Sequence, residues 1–278
     1  MNDAEQNSVR ARIIDDSSTS IKYQVPGTGI TLSANTLFHF TKTKENLIGI
    51  LKNEFFPRYS LEDDPYSKKC LAIPMVSFCD IPLSQIKNHI QTYGSYAIGL
   101  NKNWGRKHKI NPVLYTYPES SVIASFRTIL DSCEKGDGEA INQIASYCTY
   151  MLNYVKIYEG QIYRNGILLP GVIRFYDERE WRYVPAIDYL SKKNIAAFLS
   201  EEEFKNTEVL MEYSKKLEDH CRLPFEPRDI KYVITRTESE ILELMDIMAN
   251  IKGDKYSHKD IRLLSSRLIS SEQVFDDF

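Results

Sequence analysis

Polar residues dominate the chain as far as Ser33, and the first concentrated apolar run is Leu37, Phe38 and Phe40. A short aromatic run of this kind reads as a buried strand, and because strand side chains alternate, His39 and Thr41 project together from one side of it. Such a pair lines a cleft or simply forms hydrogen bonds at the rim of a core. Leu47, Ile50 and Leu51 then recur at i, i+3 and i+4, which predicts a helix with Thr43 or Lys44 at its cap. Residues 71–79 predict a second buried strand, and Pro74 within it points to a sheet edge. Asp80 stands where a helix cap falls, with Pro82 in the first turn and Ile86 and Ile90 extending that helix toward Gly94. Residues 95–100 and 112–117 read as the next strands, separated by a basic turn or short helix over 101–109.

The rhythm changes at about residue 119. Val122, Ile123, Phe126, Ile129 and Leu130 fit one helical face, and Ile141, Ile144, Cys148, Met151 and Val155 fit another after the Gly136-Asp137-Gly138 break. These two segments predict a helical insertion at about 119–158, whose apolar faces either pack as core or dock a partner. Strands resume over 160–169, with Asn165-Gly166 as a hairpin turn, and over 172–185. In the latter, Glu180 and Arg182 alternate with Trp181 and Tyr183, which predicts a buried aromatic face and an outward charged face. A helix start at Ser200, a strand over 229–234 and a strongly periodic helix over 239–248 follow, and Leu263, Leu264 and Leu268 supply a last helical contact. The organisation this implies is an N-terminal arm over 1–33 and a single α+β domain over 34–278 carrying the insertion.

Between the elements, residues 55–60 read as a loop in which Arg58 beside Phe55 and Phe56 either clamps an anionic ligand or is packed by its own aromatics. Residues 62–65 read as an acidic turn. The 278 residues are ample for a hydrophobic core, and a formal net charge of -3 gives no whole-chain case for nucleic-acid binding. Five scattered cysteines without paired spacing fit neither a disulfide framework nor a zinc ribbon. No apolar run reaches the ~18 residues of a membrane span, and the first residues lack a signal-peptide pattern, so a cytoplasmic location is expected. His39, His89, His108, His220 and His258 show no ligand spacing with acids, which disfavours a metal-dependent nuclease.

Several short motifs stand in a telling order. Phe38-His39-Phe40-Thr41 is followed by Asn46-Leu47 and Ile50-Leu51, then by Val76-Ser77-Phe78-Cys79-Asp80-Ile81-Pro82-Leu83, by Tyr93-Gly94-Ser95-Tyr96-Ala97-Ile98-Gly99-Leu100, and by Glu180-Trp181-Arg182-Tyr183. From Leu37 to about Val184 the chain thereby resembles the bacterial AbiGi-like abortive phage infection family. More loosely, the His-x-Thr strand, the Asn-Leu-x-x-Ile helix and the later glutamate strand are similar to DarT-like and wider ADP-ribosyltransferase folds.

That looser resemblance implies a split, mostly antiparallel sheet with flanking helices gripping NAD. His39 would bind the ribose or the nicotinamide amide, Thr41 would support the ribose, Tyr96 would stack on nicotinamide and Arg58 would pair with the pyrophosphate. Glu180, or Glu178 if the strand bulges near Asp177, would act with His39 in catalysis by stabilising the oxocarbenium-like charge as nicotinamide leaves. The implied function is ADP-ribose transfer from NAD to a nucleic acid or protein in phage defence. The alternative is a non-catalytic antitoxin or accessory protein that binds a cognate toxin or antitoxin through the insertion.

Overall fold

The computed structural model describes residues 34–277 apart from 65, 67, 68, 162, 165, 166, 169, 254 and 255. The chain divides into the units Met1–Thr31 and Leu32–Phe278, and all described residues belong to the second. The expected arm over 1–33 and the Asn165-Gly166 turn lie outside the described residues.

The first strand, β1 (Thr36–Thr41), runs into α1 (Lys44–Asn53), whose cap is Thr43: its hydroxyl accepts the Asn46 amide at 3.2 Å. Two strands follow, β2 (Arg58–Asp63) and β3 (Cys70–Cys79), then α2 (Lys87–Tyr93), β4 (Tyr96–Asn101) and α3 (Lys102–Lys107). Gly94 makes the sharp turn between α2 and β4. Its φ is +128°, and a Cβ there would stand 2.3 Å from the Thr41 carbonyl oxygen, so the backbones meet where only glycine fits.

The main sheet has nine strands. Leu268–Ser270, Ile230–Thr235, β4, β1, β3, Glu180–Tyr183 and β5 (Asn111–Pro112) lie side by side, while β2 and Leu199–Ser200 also pair with β3. Every pairing in it is antiparallel except that of Ile230–Thr235 with Leu268–Ser270. The α+β class and the mostly antiparallel sheet are therefore as expected. One face is covered by α1, α3 and the later helices through Leu47, Leu51, Trp104, Leu244, Met248 and Leu264. The other is covered by Ile86, Ile90 and Val274.

Several local expectations are corrected. The loop and acidic turn expected over 55–65 contain β2 instead, because Tyr59 and Leu61 alternate with Arg58, Ser60 and Glu62 and are buried while the polar set is not. Pro74 does not mark an edge: β3 has partners on both sides. Tyr59 pairs with Pro74, and along the other edge the pairing with Leu199–Ser200 ends at Ala72, which leaves a gap where the missing N–H costs no ladder bond. Asp80 caps no helix; it forms a buried ion pair with Lys102 at 2.7 Å. The strand expected over 112–117 is two short ones in different sheets, β5 and β6 (Leu114–Thr116). Leu268 belongs to a strand rather than a helix, and the helices Ile187–Lys192 and Thr207–His220 were not expected.

The insertion is present as α4 (Ser121–Glu134) and α5 (Glu139–Leu152). Its base is drawn together by β6 and β7 (Val155–Ile157), which pair in parallel with Leu114 opposite Val155.

Candidate functional site

Sheet register decides which of the expected site residues meet. Phe38 and Glu180 both pair with Cys79, and Arg182 pairs with Ser77, so Phe38, Ser77, Cys79, Glu180 and Arg182 share one face. His39 pairs with Ile98 and Thr41 with Tyr96, which puts these four on the opposite face. The structure thus brings together His39, Thr41 and Tyr96, and the sheet itself separates them from Glu180.

His39 Nδ1 donates to the Ser77 carbonyl at 2.8 Å, and its ring sits edge-on to Phe55 and Phe78. Burial lowers its pKa from the ordinary histidine value; the Ser77 carbonyl opposes that shift and the charge of Arg58 adds to it. Tyr96 is buried and its hydroxyl donates to Glu240 Oε1 at 2.9 Å. Thr41 is buried, and the exposed Arg58 lies over the Phe56 ring at 4.9 Å.

On Glu180's side of the sheet lies a largely buried layer of charge. The expected orientation of Glu180–Tyr183 is reversed: Arg182 is 0% exposed and Glu180 5%, while Trp181 and Tyr183 are half-buried against the opposite core. Both sheet faces are covered here, so alternation does not separate inside from outside. Arg182 bonds Glu180 Oε1 through Nε at 2.7 Å, Glu62 through Nη2 at 2.7 Å and the Asn153 carbonyl through Nη1 at 3.0 Å. Lys156, from β7, meets Glu180 at 2.8 Å and Glu178 at 2.9 Å, with Glu62 at 3.8 Å. Ser77 Oγ donates to Glu180 Oε1 at 2.7 Å, the Glu180 amide donates to Tyr115 Oη at 2.8 Å, and the Tyr93 hydroxyl donates to Glu178.

Burial alone would push the Glu180 carboxyl up, but the charges and hydrogen bonds of Arg182 and Lys156 outweigh it and hold the group well below the usual carboxylate range. Glu62 shifts the other way, because burial outweighs the same two cations there. Lys156 is held above its ordinary value: burial lowers it, and Glu180, Glu178 and Glu62 more than offset that. Glu180 is therefore a fixed anion whose two oxygens are both engaged. Glu62, Lys156, Arg182, Ser77 and Tyr115 are the participants that sequence reasoning missed. Arg182 had a usable signal, since it stands at i+2 from Glu180 on one strand.

Two cavities flank this layer. The smaller, of about 160 Å³, is lined by Glu62, Tyr93, Lys156, Phe175 and Glu178 among others. The larger, of about 490 Å³, runs between the insertion and the β2–β3 hairpin and shares Glu62 and Asp63 with it. Among the described residues no group of His, Cys, Asp and Glu is arranged to hold a metal ion, and no helix is long and apolar enough to cross a membrane.

Fold and site together define an α+β protein whose mostly antiparallel sheet carries a largely buried ion-pair layer on one face, next to a cleft under a helical insertion. Residues 53–236, more than half of the chain, match the family model described as abortive phage resistance protein AbiGi, antitoxin, and the chain belongs to that family. It is similar to the abortive phage resistance protein AbiGi of Lactococcus lactis subsp. cremoris, at 26% identity over 247 residues that cover 80% of this chain and 97% of that one. No solved structure matches the chain. The matched segment spans the whole charged layer and both cavities; His39 and Thr41 precede it.

Proposed function

We propose that this chain is the non-catalytic, antitoxin half of a cytoplasmic phage-defence pair, a protein that binds and restrains a cognate toxin. The observation that carries the reading is that both Glu180 oxygens are taken by Arg182, Lys156 and Ser77, on the sheet face opposite His39. ADP-ribosyl transfer from NAD asks for the reverse arrangement, with His39, Thr41, Arg58, Tyr96 and Glu180 facing one dinucleotide-sized hollow. It also asks the acid to turn toward a ribose, and breaking a buried ion pair to release Glu180 costs about 3–5 kcal/mol. The family description, with its word antitoxin, supports the binding role.

The test is growth of a bacterial host expressing the product of the adjacent reading frame, with and without this chain. Restored growth together with recovery of a defined complex of the two is the expected result. Release of nicotinamide from NAD by the purified chain in infected-cell extract, abolished by Glu180→Gln, would overturn the proposal in favour of the transferase.

A further inference from the structure

The two helices of the insertion leave the larger cavity open beside the β2–β3 hairpin. Its floor is apolar, formed by Leu71, Ile73, Leu130, Leu152 and Val155. Its rim carries Asp63, Asp64 and Glu134, with Glu62 on the inner wall, and Lys69 is the one cation among the described residues lining it. Glu62 is already ion-paired with Arg182. Among the described residues no ion pair joins Asp63 or Glu134 to a cation of this chain. Tyr66 stands on the cavity wall, and its hydroxyl donates to Asp131 at 3.3 Å; burial first, then the charges of Glu134, Asp131 and Asp64, raise its pKa. Phe198 lines the same cavity and is 48% exposed, an aromatic surface left at its edge.

A hollow of about 490 Å³ falls within the roughly 300–1,000 Å³ of pockets that bind organic groups. An apolar floor within an acidic border matches one common recognition mode, an amphipathic helix laid in a groove. We infer that this cleft receives a basic amphipathic helix of the toxin, its apolar side chains on Leu71, Ile73 and Leu130 and its lysines or arginines against Asp63 and Glu134. The inference rests on the antitoxin reading and adds to it the place and the chemistry of the contact. An acidic helix would leave like charges facing each other at the rim, and a purely apolar one would desolvate Asp63 and Glu134 without bringing a cation to either.

Two fluorescent synthetic helices of about 18 residues, five turns, test this: both carry leucines at i, i+3, i+4 and i+7, one with a lysine polar face and one with a glutamate polar face. Anisotropy titration of the full chain is expected to give at least about tenfold tighter binding of the lysine helix, weakening with salt. The double variant Asp63→Lys/Glu134→Lys, at two exposed positions, is expected to cancel or reverse that preference, and Phe198→Ser to weaken binding of the lysine helix. Equal binding of the two helices, or a lysine-helix affinity untouched by the charge reversal, would overturn the inference. Concentration-dependent self-association abolished by the same double variant would also overturn it, since the occupant would then be a second copy of this chain. Growth rescue separates the two levels. If the wild-type chain restrains the toxin and the double variant does so equally well, the cleft assignment fails and the antitoxin reading stands; if the wild type gives no rescue, the reading itself fails.

Discussion

Replacing Arg182 by methionine tests whether the buried charge layer is a structural element of the sheet. Arg182 has 0% of its side chain exposed, Glu180 6% and Glu62 20%, and Lys156, at 14%, is the other cation in reach. The intact layer holds three carboxylates and two cations; without the guanidinium one lysine faces Glu62, Glu178 and Glu180. Each Arg182–carboxylate contact is worth about 4 kcal/mol gross at an effective dielectric near 20. Against these two contacts stands the cost of keeping the guanidinium out of water, so the expected net loss is the roughly 3–5 kcal/mol typical of a buried pair broken on one side. At about 2–4 °C per kcal/mol for a unit of this size, the melting temperature should fall by roughly 10 °C. Thermal and urea unfolding followed by circular dichroism measure it. The double variant Glu180→Gln/Arg182→Met should lose at least about 1 kcal/mol less than the sum of the two single variants, because the second change removes a charge that the first has orphaned. An Arg182→Met protein within about 1 kcal/mol of wild type, or strictly additive losses, would refute the network as drawn.

Glu180 is held below the ordinary carboxylate range, so its contribution to stability is present above the unfolded value near pH ~4.3 and is lost as pH falls toward the folded one. Glu62, shifted upward, acts in the opposite sense, its contribution present in acid and lost as pH rises through its folded value. Urea midpoints between about pH 5 and pH 3 should therefore fall more steeply for wild type than for Glu180→Gln, and parallel slopes would show that Glu180 is not depressed. Gly94→Ala should cost at least about 2 kcal/mol, since φ is +128° and the new Cβ would stand 2.3 Å from the Thr41 carbonyl oxygen; a melting temperature equal to wild type would contradict that backbone path.

Much of the frame is legible from local periodicity. The strand at Leu37, the helix capped by Thr43 and the strand ending at Cys79 follow from runs whose apolar period matches their burial, whereas the two helices of the insertion follow from the period alone, since Val122, Ile129, Ile144 and Met151 of the expected faces are exposed. β2 carried the same kind of signal, Arg58-Tyr59-Ser60-Leu61-Glu62, but Pro57 and the acidic run after it read as turn chemistry. The site was less legible for a different reason. Which residues share a face depends on register across three strands, and a pairing of Glu180 with Cys79 rather than Phe78 is invisible in any one segment. His39 and Glu180 were recognisable as polar residues on strands, and nothing local revealed that a sheet would stand between them. Lys156 arrives from the far end of the insertion, so no spacing within a single segment could join it to Glu178 and Glu180.

The charged layer also has a mechanical consequence for the cleft beside it. Lys156 in β7 is anchored to Glu178 and Glu180, and the carbonyl of Asn153, the residue that caps the C-terminus of α5, accepts from Arg182. On the other flank, β6 is tied to β7 by the parallel pairing that opens at Leu114 and Val155, and α4 starts from the Ser120 cap a few residues beyond β6. Both ends of the insertion are thus fastened to the sheet at one place, by ion pairs on one side and a strand pair on the other. Glu62, which closes the cleft from the sheet side, is held by the same guanidinium. A helix entering the cleft meets walls whose base is already fixed, so less of its contact energy is spent on ordering them. Buried charge that contributes little net stability to a domain can in this way still be retained, because it sets where the insertion stands over the sheet.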